Sequence, residues 1–243
     1  MGYETYPEQE SGEVEQAKPW QLMLNPQTAV LVSDFDGTMT RHDFYQMVRA
    51  RWWNEAEPDP WEEYIAGRIT HFEALNRFFA RIRADEATLR TFAEGMELDP
   101  TLPEALERLD QAGWTLVIAS AGCEWYIRHL LAGIRTPFTL HANPGRLTPA
   151  GGLEMQLPVD SEFFSPETGI DKLAVVKHAL ARHERVAFAG DGPPDLPPAR
   201  LIPVRSRFAR GYLAQTLTAE GEAYELLSDW DTLATHLLDS KAR

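Results

Sequence analysis

Three short apolar runs along the chain each end in a polar turn. The runs are residues 29–32, 115–119 and 186–189, and the turns are Ser33–Thr38, Ser120–Gly122 and Gly190–Gly192. Uninterrupted apolar runs of this length are typical of strands that are buried on both faces of a parallel sheet. Because the carboxyl ends of parallel strands meet at one edge of the sheet, we expect the three turns to lie close together.

Helical periodicity fills the segments between these runs. Leu102, Leu106 and Leu109 share one face of a predicted helix that Gly113 closes, and a second helix is indicated from Leu173 to Leu180. Strands that alternate with helices predict an α/β fold with a parallel sheet covered on both faces.

Residues 41–98 contain no strand-like run and are helical in pattern throughout. Thr70 and Glu73 form a capping box ahead of an apolar helical face, and Asp85 is placed to cap a further helix. This segment is therefore predicted to be a small all-helical cap, inserted into an α/β core that comprises residues 20–40 and 99–243.

Two further segments are predicted outside this pattern. Phe138–Leu140 and Leu153–Leu157 flank a stretch rich in proline and glycine, which predicts a short antiparallel flap near residues 138–157. Residues 1–19 are acidic and contain proline and glutamine, which predicts a flexible tail.

The net charge of the chain indicates which classes of partner are compatible with it. With 23 Lys and Arg against 37 Asp and Glu, the formal net charge is −14. This balance would repel a nucleic-acid backbone, so a nucleic-acid partner is not expected. A small phosphorylated metabolite remains compatible, because one lysine and a divalent metal can reverse the sign of the potential within a single cleft.

Cysteine content and hydropathy indicate the compartment. The single cysteine, Cys123, has no partner for an internal disulfide, and the sequence shows neither a secretory leader nor an apolar run long enough to span a bilayer. We therefore expect a cytoplasmic protein without a membrane partner. Both a monomer and a homodimer remain open.

The first polar turn carries candidate groups for phosphoryl transfer. Hydrolysis of a phosphate ester needs a nucleophile, an acid for the departing alkoxide and countercharge for the phosphate oxygens. Asp34 can attack phosphorus to form an aspartyl phosphate. Asp36 can protonate the leaving oxygen and then deprotonate the attacking water.

The other two turns, and a helix start, can bind the metal ion and the phosphate group. Asp191 and Asp195 offer the hard oxygen ligands that Mg²⁺ prefers. Ser120, with backbone N–H groups at the start of the following helix, and Lys172 can bind phosphate. Each feature has an ordinary structural explanation, since carboxylates cap turns, serine caps helices and lysine is usually solvated. Their joint occurrence at strand ends and helix starts favours a catalytic site.

These elements resemble the four ordered motifs of the haloacid dehalogenase (HAD) superfamily. The motifs are Asp34–Thr38, Ser120, Lys172 and Gly190–Asp195, and the resemblance covers residues 30–238. It implies a Rossmann-like core with a helical C1-type cap and a Mg²⁺ cofactor. Asp34 is then nucleophile and metal ligand, and Asp36 is acid/base and a ligand through its carbonyl. Asp191 ligates the metal and Asp195 supports the metal site. Thr38, Ser120, Ala121, Gly122 and Lys172 contact phosphate.

Within that superfamily the insert resembles the cap of the phosphoserine phosphatase-like group. By this resemblance Asp43 contacts substrate, whereas Asn76 stands where phosphoserine phosphatases tend to carry an arginine for the serine carboxylate. That difference argues against phosphoserine. One departure from the family pattern is the proline density around the fourth motif, which makes the geometry near Asp195 harder to predict.

A closer resemblance is to the MtnX-like phosphatases of methionine salvage, which act on 2-hydroxy-3-keto-5-methylthiopentenyl-1-phosphate. The stretches that carry it are residues 34–43, 143–145, 169–172 and 208–210. The alternatives are phosphoserine phosphatase, another small-metabolite phosphatase, a phosphotransferase or mutase, and a non-catalytic phospholigand-binding module.

Three further sets of residues allow two interpretations each. Trp52, Trp53 and Trp61 either line an apolar pocket or form the core of the cap. His42 follows the first motif and either shuttles protons or lies at the surface. Cys123 begins a predicted helix and is either activated there or packed in the interior.

Overall fold

The computed structural model describes residues 29–54 and 56–239. The predicted tail, residues 1–19, and the predicted start of the core at residue 20 lie outside the described residues. Among the described residues, no helix has both the length and the apolar character that crossing a bilayer requires.

The core is a six-stranded parallel sheet in the order β10-β9-β8-β1-β2-β3. Its strands are β1 (Ala29–Ser33), β2 (Trp114–Cys123), β3 (Phe138–Asn143), β8 (Arg185–Gly190), β9 (Arg207–Ala209) and β10 (Glu225–Leu226). Leu31 of β1 pairs with Leu116 on one side and with Ala187 on the other. The three strands predicted from apolar runs are therefore adjacent at the centre of the sheet, and the predicted α/β fold is confirmed.

Two short antiparallel hairpins accompany the sheet. The first joins β4 (Gly145–Leu147) to β5 (Leu153–Met155), and the second joins β6 (Phe164–Ser165) to β7 (Gly169–Ile170). The prediction that Phe138–Leu140 forms one strand of the flap is wrong, because this segment belongs to β3 and pairs in parallel with β2. Its half-buried residues suit the outer strand of the main sheet, and the hairpin begins only after Pro144.

The helices of the described residues fall into two groups. Those of the insert are α1 (Phe44–Trp52), α2 (Pro60–Ile65), α3 (His71–Phe79) and α4 (Glu86–Glu94). Those of the core are α5 (Leu102–Gln111), α6 (Glu124–Leu130), α7 (Lys172–Leu180), α8 (Leu196–Arg200), α9 (Gly211–Ala219) and α10 (Trp230–Asp239).

Local sequence explains where the helices of the insert begin. Asp43 and Asp85 each accept backbone N–H bonds as N-caps, and Thr70 with Glu73 forms the complete capping box expected from the sequence. Where the chain enters and leaves the insert, Thr40 and Leu98 form an isolated antiparallel bridge. This bridge brings the two ends of the insert together beside the end of β1.

Two apolar clusters cover the faces of the sheet. One includes α7 and α9, and the other includes α5, α10 and the helices of the insert. Phe44 and Phe79 of the insert contact the ring of Tyr126 on α6, at 4.2 and 6.3 Å between ring centroids. The insert therefore packs directly on the core next to the carboxyl end of the sheet.

Candidate active site

A cavity of about 720 Å³ lies where the carboxyl ends of β1, β2 and β8 face the insert. The insert contributes a mostly aromatic and apolar wall, formed by Tyr45, Trp61, Tyr64, Ile65, Leu75 and Phe79 together with Asp43, Gln46 and His71. The core contributes a polar floor that contains Asp34, Asp36, Ser120, Lys172 and Asp191. The three turns predicted to meet at one edge of the sheet thus share one cavity.

Asp34 follows β1 directly and is buried. Its backbone N–H donates to the carbonyl of Ala189, which fixes the end of β1 against β8. Its Oδ1 accepts a hydrogen bond from the N–H of Phe35 and lies 2.7 Å from Nζ of Lys172. Burial and the charge of Asp195 raise the pKa of Asp34 well above its usual range, while Lys172 opposes that rise.

Asp36 is held by groups from three elements. Tyr126 of α6 donates from its hydroxyl to both carboxylate oxygens, at 3.0 and 2.9 Å. The N–H of Phe44 at the start of α1 donates at 3.2 Å, and the hydroxyl of Ser120 lies 3.4 Å away. Burial raises the pKa of Asp36, and the Tyr126 hydroxyl opposes this by stabilising the carboxylate. A raised pKa suits a group that must donate a proton near neutral pH.

Asp191 and Asp195 lie on the turn and helix start that follow β8. One carboxylate oxygen from each of Asp34, Asp191 and Asp195 falls within 4.8 Å of the others. Burial and the charge of Asp195 raise the pKa of Asp191 to about 7. Lys172 bridges Asp34 and Asp195, with 2.7 Å to an oxygen of each.

This group of carboxylates suits a magnesium ion. It offers only hard oxygen ligands. Burial, followed by the negative charge of Asp195, raises the pKa values of Asp34 and Asp191, and a divalent cation would favour the ionised form of both. Asp195 differs from the other two. Its oxygens already accept hydrogen bonds from Lys172 and from the N–H groups of Asp191 and Gly192. In this structure Asp195 therefore orients Lys172 and the turn that carries Asp191.

Thr38, expected to contact phosphate, is fully buried. Its hydroxyl donates to Oδ1 of Asp191 at 3.3 Å, and the residue does not line the cavity. Close packing explains this position: Gly37 has a φ of 68°, and a Cβ there would lie 2.3 Å from Oδ2 of Asp191. The turn after β1 therefore supports Asp191 from behind.

Ser120, Ala121 and Gly122 line the cavity where the register of β2 shifts. The hydroxyl of Ser120 accepts the N–H of Gly122 at 2.9 Å, and the carbonyl of Ala121 accepts from Asn143 at 2.7 Å. These contacts hold a bulged backbone against the cavity, next to Asp36.

The insert places two other expected residues differently. Asp43 lines the cavity and also caps α1, where it accepts from the N–H of Tyr45 at 2.8 Å. Burial and the charges of Asp36 and Asp191 raise its pKa well above the usual range. Asn76 instead accepts from the N–H of Met155 on β5, which ties the insert to the first hairpin, and it does not line the cavity.

The structure also distinguishes between the two interpretations given above for the tryptophans, His42 and Cys123. Trp52 and Trp53 pack against the apolar cluster of the insert and core, whereas Trp61 lines the cavity. His42 is half-exposed and lies 3.8 Å from Glu97. Cys123 is buried, and burial raises the pKa of its thiol to about 12, which favours packing over reactivity.

Sequence reasoning missed Tyr126, His71 and Arg210. Tyr126 and His71 sit in ordinary helical patterns, and only the fold brings them to the cavity. Arg210 lies behind the site, where its guanidinium donates to the carbonyls of Gly37, Thr38 and Thr40. Its only signal in the sequence was its place in one of the stretches that carry the MtnX-like resemblance.

Comparison with known proteins bears on the family of the chain. A family model described as haloacid dehalogenase-like hydrolase matches residues 31–200. A search of curated protein sequences finds no match to the chain.

Solved structures share the fold at low sequence identity. A HAD family hydrolase from Salmonella enterica serovar Typhi superposes with a TM-score of 0.64 at 16% identity, covering 86% of this chain and 71% of that one. A phosphoserine phosphatase from T. onnurineus gives 0.58 at 18%, covering 86% and 94%. A substrate-bound phosphoserine phosphatase gives 0.60 at 12%, covering 88% and 98%.

Proposed function

The chain belongs to the haloacid dehalogenase-like hydrolases, and from this we propose that it is a Mg²⁺-dependent phosphomonoester hydrolase with Asp34 as its nucleophile. The observation that carries the proposal is the convergence of Asp34, Asp36, Lys172 and Asp191 in one cavity. Four groups remote in sequence supply the nucleophile, the acid/base and the charges that phosphoryl transfer requires.

In the first step Asp34 attacks phosphorus. A bond forms between a carboxylate oxygen of Asp34 and phosphorus, and the ester bond from phosphorus to the leaving oxygen breaks. Asp36, whose pKa is raised by burial, gives its proton to the departing alkoxide. Lys172, 2.7 Å from Asp34, reduces repulsion between the carboxylate and the incoming phosphate dianion.

In the second step water cleaves the aspartyl phosphate. Asp36, now ionised, takes a proton from the water as its oxygen bonds to phosphorus, and the bond from Asp34 to phosphorus breaks. The products are inorganic phosphate and the regenerated Asp34. Tyr126 and the N–H of Phe44 hold Asp36 in place through both steps.

We assign the Mg²⁺ ligands to Asp34 and Asp191, with a carbonyl ligand from Asp36, and give Asp195 a supporting role. The ion, when bound, supplies positive charge that stabilises the phosphate oxygens in the transition state. Ser120 and the bulged backbone of residues 121–122 bind the phosphate from the side of β2.

The charges of the residues that line the cavity indicate which kind of substrate it binds. Among the described residues that line it, Lys172 is the one lysine or arginine, and it is already paired with Asp34 and Asp195. The cavity therefore offers no cation for a carboxylate on the organic part of the substrate. This favours an uncharged organic group over phosphoserine, and 2-hydroxy-3-keto-5-methylthiopentenyl-1-phosphate is our candidate of that kind.

The proposal is tested with Asp34→Asn and a generic aryl phosphate in Mg²⁺. We expect the wild type to form a covalent phosphoenzyme that can be trapped by acid quench, and the variant to form none and to lose turnover by at least about a thousandfold. Asp160→Asn, an exposed residue near the second hairpin, serves as the matched control and should behave as the wild type. Full activity of Asp34→Asn would eliminate the mechanism.

The substrate is tested separately with a panel of phosphorylated metabolites. We expect the methionine-salvage intermediate to be hydrolysed with a higher kcat/KM than phosphoserine. The reverse order would make phosphoserine the better candidate while leaving the catalytic mechanism intact.

A further inference from the structure

The rim of the cavity differs from its floor in charge. The charged residues that line the cavity are all buried or half-buried, and they are Asp34, Asp36, Asp43, Lys172 and Asp191. The lining residues that are exposed form the rim, and they are Gln46, Ile65, Pro193, Gly211 and Tyr212. None of these five carries a charge, although 25% of the residues in the chain do. The polar side-chain groups of the rim are the amide of Gln46 and the hydroxyl of Tyr212.

Two large side chains contribute most of the apolar surface of this rim. Ile65, the last residue of α2, is 72% exposed, and Tyr212, near the start of α9, is 52% exposed. The first belongs to the insert and the second to the core, so the two lie on different sides of the opening. A large apolar side chain that lines a cavity and stays exposed offers surface that a ligand can cover.

Both sides of the rim are held in place by neighbouring contacts. On the core side, the N–H of Leu213 donates to the carbonyl of Asp191 at 2.7 Å, which ties the start of α9 to the turn after β8. On the insert side, Trp61 of α2 stacks on Tyr45 of α1, with ring centroids 4.7 Å apart. The two sides of the rim therefore hold defined positions relative to the polar floor.

The size of the cavity leaves room for a substrate that extends from the floor to the rim. Its volume of about 720 Å³ lies within the range of roughly 300–1,000 Å³ that is typical of sites for drug-sized ligands. A phosphate group bound beside Asp34 would occupy a small part of this space. At the rim, covering apolar carbon is favourable, whereas removing a charge from water without a partner is not.

We propose that Ile65 and Tyr212 select the substrate by contacting the end of its organic part that lies farthest from the phosphate. That end is an uncharged apolar group, such as an alkyl, thioether or aryl group. This inference rests on the proposed phosphatase function and narrows its substrate class to monoesters with an apolar end.

The test compares ethyl, butyl and hexyl phosphate in the wild type, in Ile65→Ser, in Tyr212→Ser and in the variant that combines both changes. The measured quantity is the ratio of kcat/KM for hexyl phosphate to kcat/KM for ethyl phosphate in each enzyme. We expect a ratio of about tenfold or more in the wild type, because each methylene that becomes buried contributes about threefold to fourfold. Each serine variant should lower the ratio by about threefold, and the combined variant should lose most of it. Ile65→Leu, which keeps the apolar volume, should retain the wild-type ratio.

The matched control is Leu226→Ser. Leu226 of β10 is 65% exposed and does not line the cavity, so its replacement should leave the ratio as in the wild type. A wild-type ratio near one, or serine variants at the rim whose ratio equals that of the control, overturns the inference and leaves the phosphatase standing. If the wild type hydrolyses none of the esters, the proposed function fails and the inference fails with it.

A second set of substrates tests the preference for an uncharged end. The compounds 6-aminohexyl phosphate and 6-phosphooxyhexanoate extend the organic part as far as hexyl phosphate does but carry an ammonium or a carboxylate group at the far end. We expect the wild type to use both with a kcat/KM at least about tenfold below that for hexyl phosphate. If either charged ester is used as well as hexyl phosphate, the inference is overturned.

A charge introduced at the rim provides the converse measurement. Ile65→Lys places an ammonium group at an exposed position and should raise the use of 6-phosphooxyhexanoate relative to hexyl phosphate by about threefold or more. Leu226→Lys makes the same change away from the cavity and should not alter this ratio. An unchanged ratio in Ile65→Lys would place position 65 outside the reach of the substrate and would overturn the proposal.

Discussion

Burial, reinforced by neighbouring carboxylates, governs the protonation of single residues in this cavity. Burial and the charge of Asp195 raise the pKa of both Asp34 and Asp191, the latter to about 7. In the metal-free protein these groups therefore hold protons that an ordinary aspartate would have lost. Binding a divalent cation must expel them, so metal affinity and pH are linked.

We predict that Mg²⁺ binding releases protons at low pH. Near pH 6 Asp191 is mostly protonated, and at least one proton should leave per ion bound. At pH 8 Asp191 is ionised already, so its contribution should vanish. The contribution of Asp191 should raise the apparent affinity by about tenfold per pH unit below 7 and should level off above 7. Calorimetric titration in buffers of different ionisation enthalpy measures the proton count, and binding at pH 6 without proton release would contradict the prediction.

Tyr126 is predicted to set the protonation of Asp36. Tyr126→Phe keeps the ring that stacks on Phe44 at 4.2 Å but removes the hydroxyl that donates to both oxygens of Asp36. Since that hydroxyl stabilises the carboxylate, its loss should raise the pKa of Asp36 further and shift the corresponding limb of the pH–rate profile to higher pH. We expect kcat to fall about tenfold as the carboxyl group loses its support.

The matched control for this experiment is Tyr224→Phe. The Tyr224 hydroxyl contacts Thr218 on α9, away from the cavity. Its removal should leave the pH–rate profile unchanged. A Tyr126→Phe enzyme whose profile coincides with that of the control would show that Asp36 is positioned by its other contacts.

At the scale of elements, the loop that leaves β1 is held from outside. Arg210, just before α9, donates to the carbonyls of Gly37, Thr38 and Thr40 at 2.5 to 2.7 Å. Trp230 of α10 donates to the carbonyl of Thr38 as well. These contacts fix the path of the chain from Asp36 to the entrance of the insert, so two residues late in the sequence position the loop that follows β1.

We predict that Arg210→Ala destabilises the protein by about 2 kcal/mol, because three carbonyl groups lose a charged donor in a partly buried site. Arg210→Lys should recover part of this loss, since one ammonium group cannot reach all three carbonyls. Urea unfolding measures both variants, with exposed Arg205→Ala expected within about 0.5 kcal/mol of the wild type. If Arg210→Ala and Arg205→Ala have the same free energy of unfolding, the contacts of Arg210 with the three carbonyl groups do not stabilise the protein.

At the scale of the whole molecule, the sequence predicted the centre of the fold better than its periphery. Apolar runs marked β1, β2 and β8 because strands buried on both faces need uninterrupted apolar residues. The outer strand β3, half-exposed, lacks that signal and was assigned to the flap. The short strands β9 and β10 carry too few residues for any periodicity.

For a similar physical reason, the sequence predicted some residues of the candidate site and missed others. Asp34, Asp36 and Asp191 follow strand ends, so the topology of a parallel sheet was enough to bring them together. His71 reaches the cavity because the insert docks on the core and on the second hairpin, and Tyr126 because its hydroxyl meets Asp36, through contacts between residues far apart in sequence. No local pattern in one sequence encodes such docking.

The burial of His71 in the insert also makes the free energy of unfolding depend on pH. Its pKa is about 4 in the folded protein against 6.5 in the unfolded chain. Well above pH 6.5 the residue is neutral in both states and contributes no pH dependence. As pH falls from 6.5 to 4 the unfolded chain takes up a proton that the folded protein refuses, so stability is lost progressively. A depression of this size corresponds to about 3 kcal/mol once pH falls below 4.

We therefore predict that the free energy of unfolding of the wild type, relative to His71→Gln, falls by about 3 kcal/mol between pH 7 and pH 4. The carboxylates with raised pKa values act in the opposite sense, because the folded protein binds protons there before the unfolded chain does. Their contribution is common to both proteins and cancels in the difference. Urea unfolding of both proteins at a series of pH values measures the difference in their free energies of unfolding. A difference that stays constant across this range would show that His71 titrates normally and that the insert does not bury it in solution.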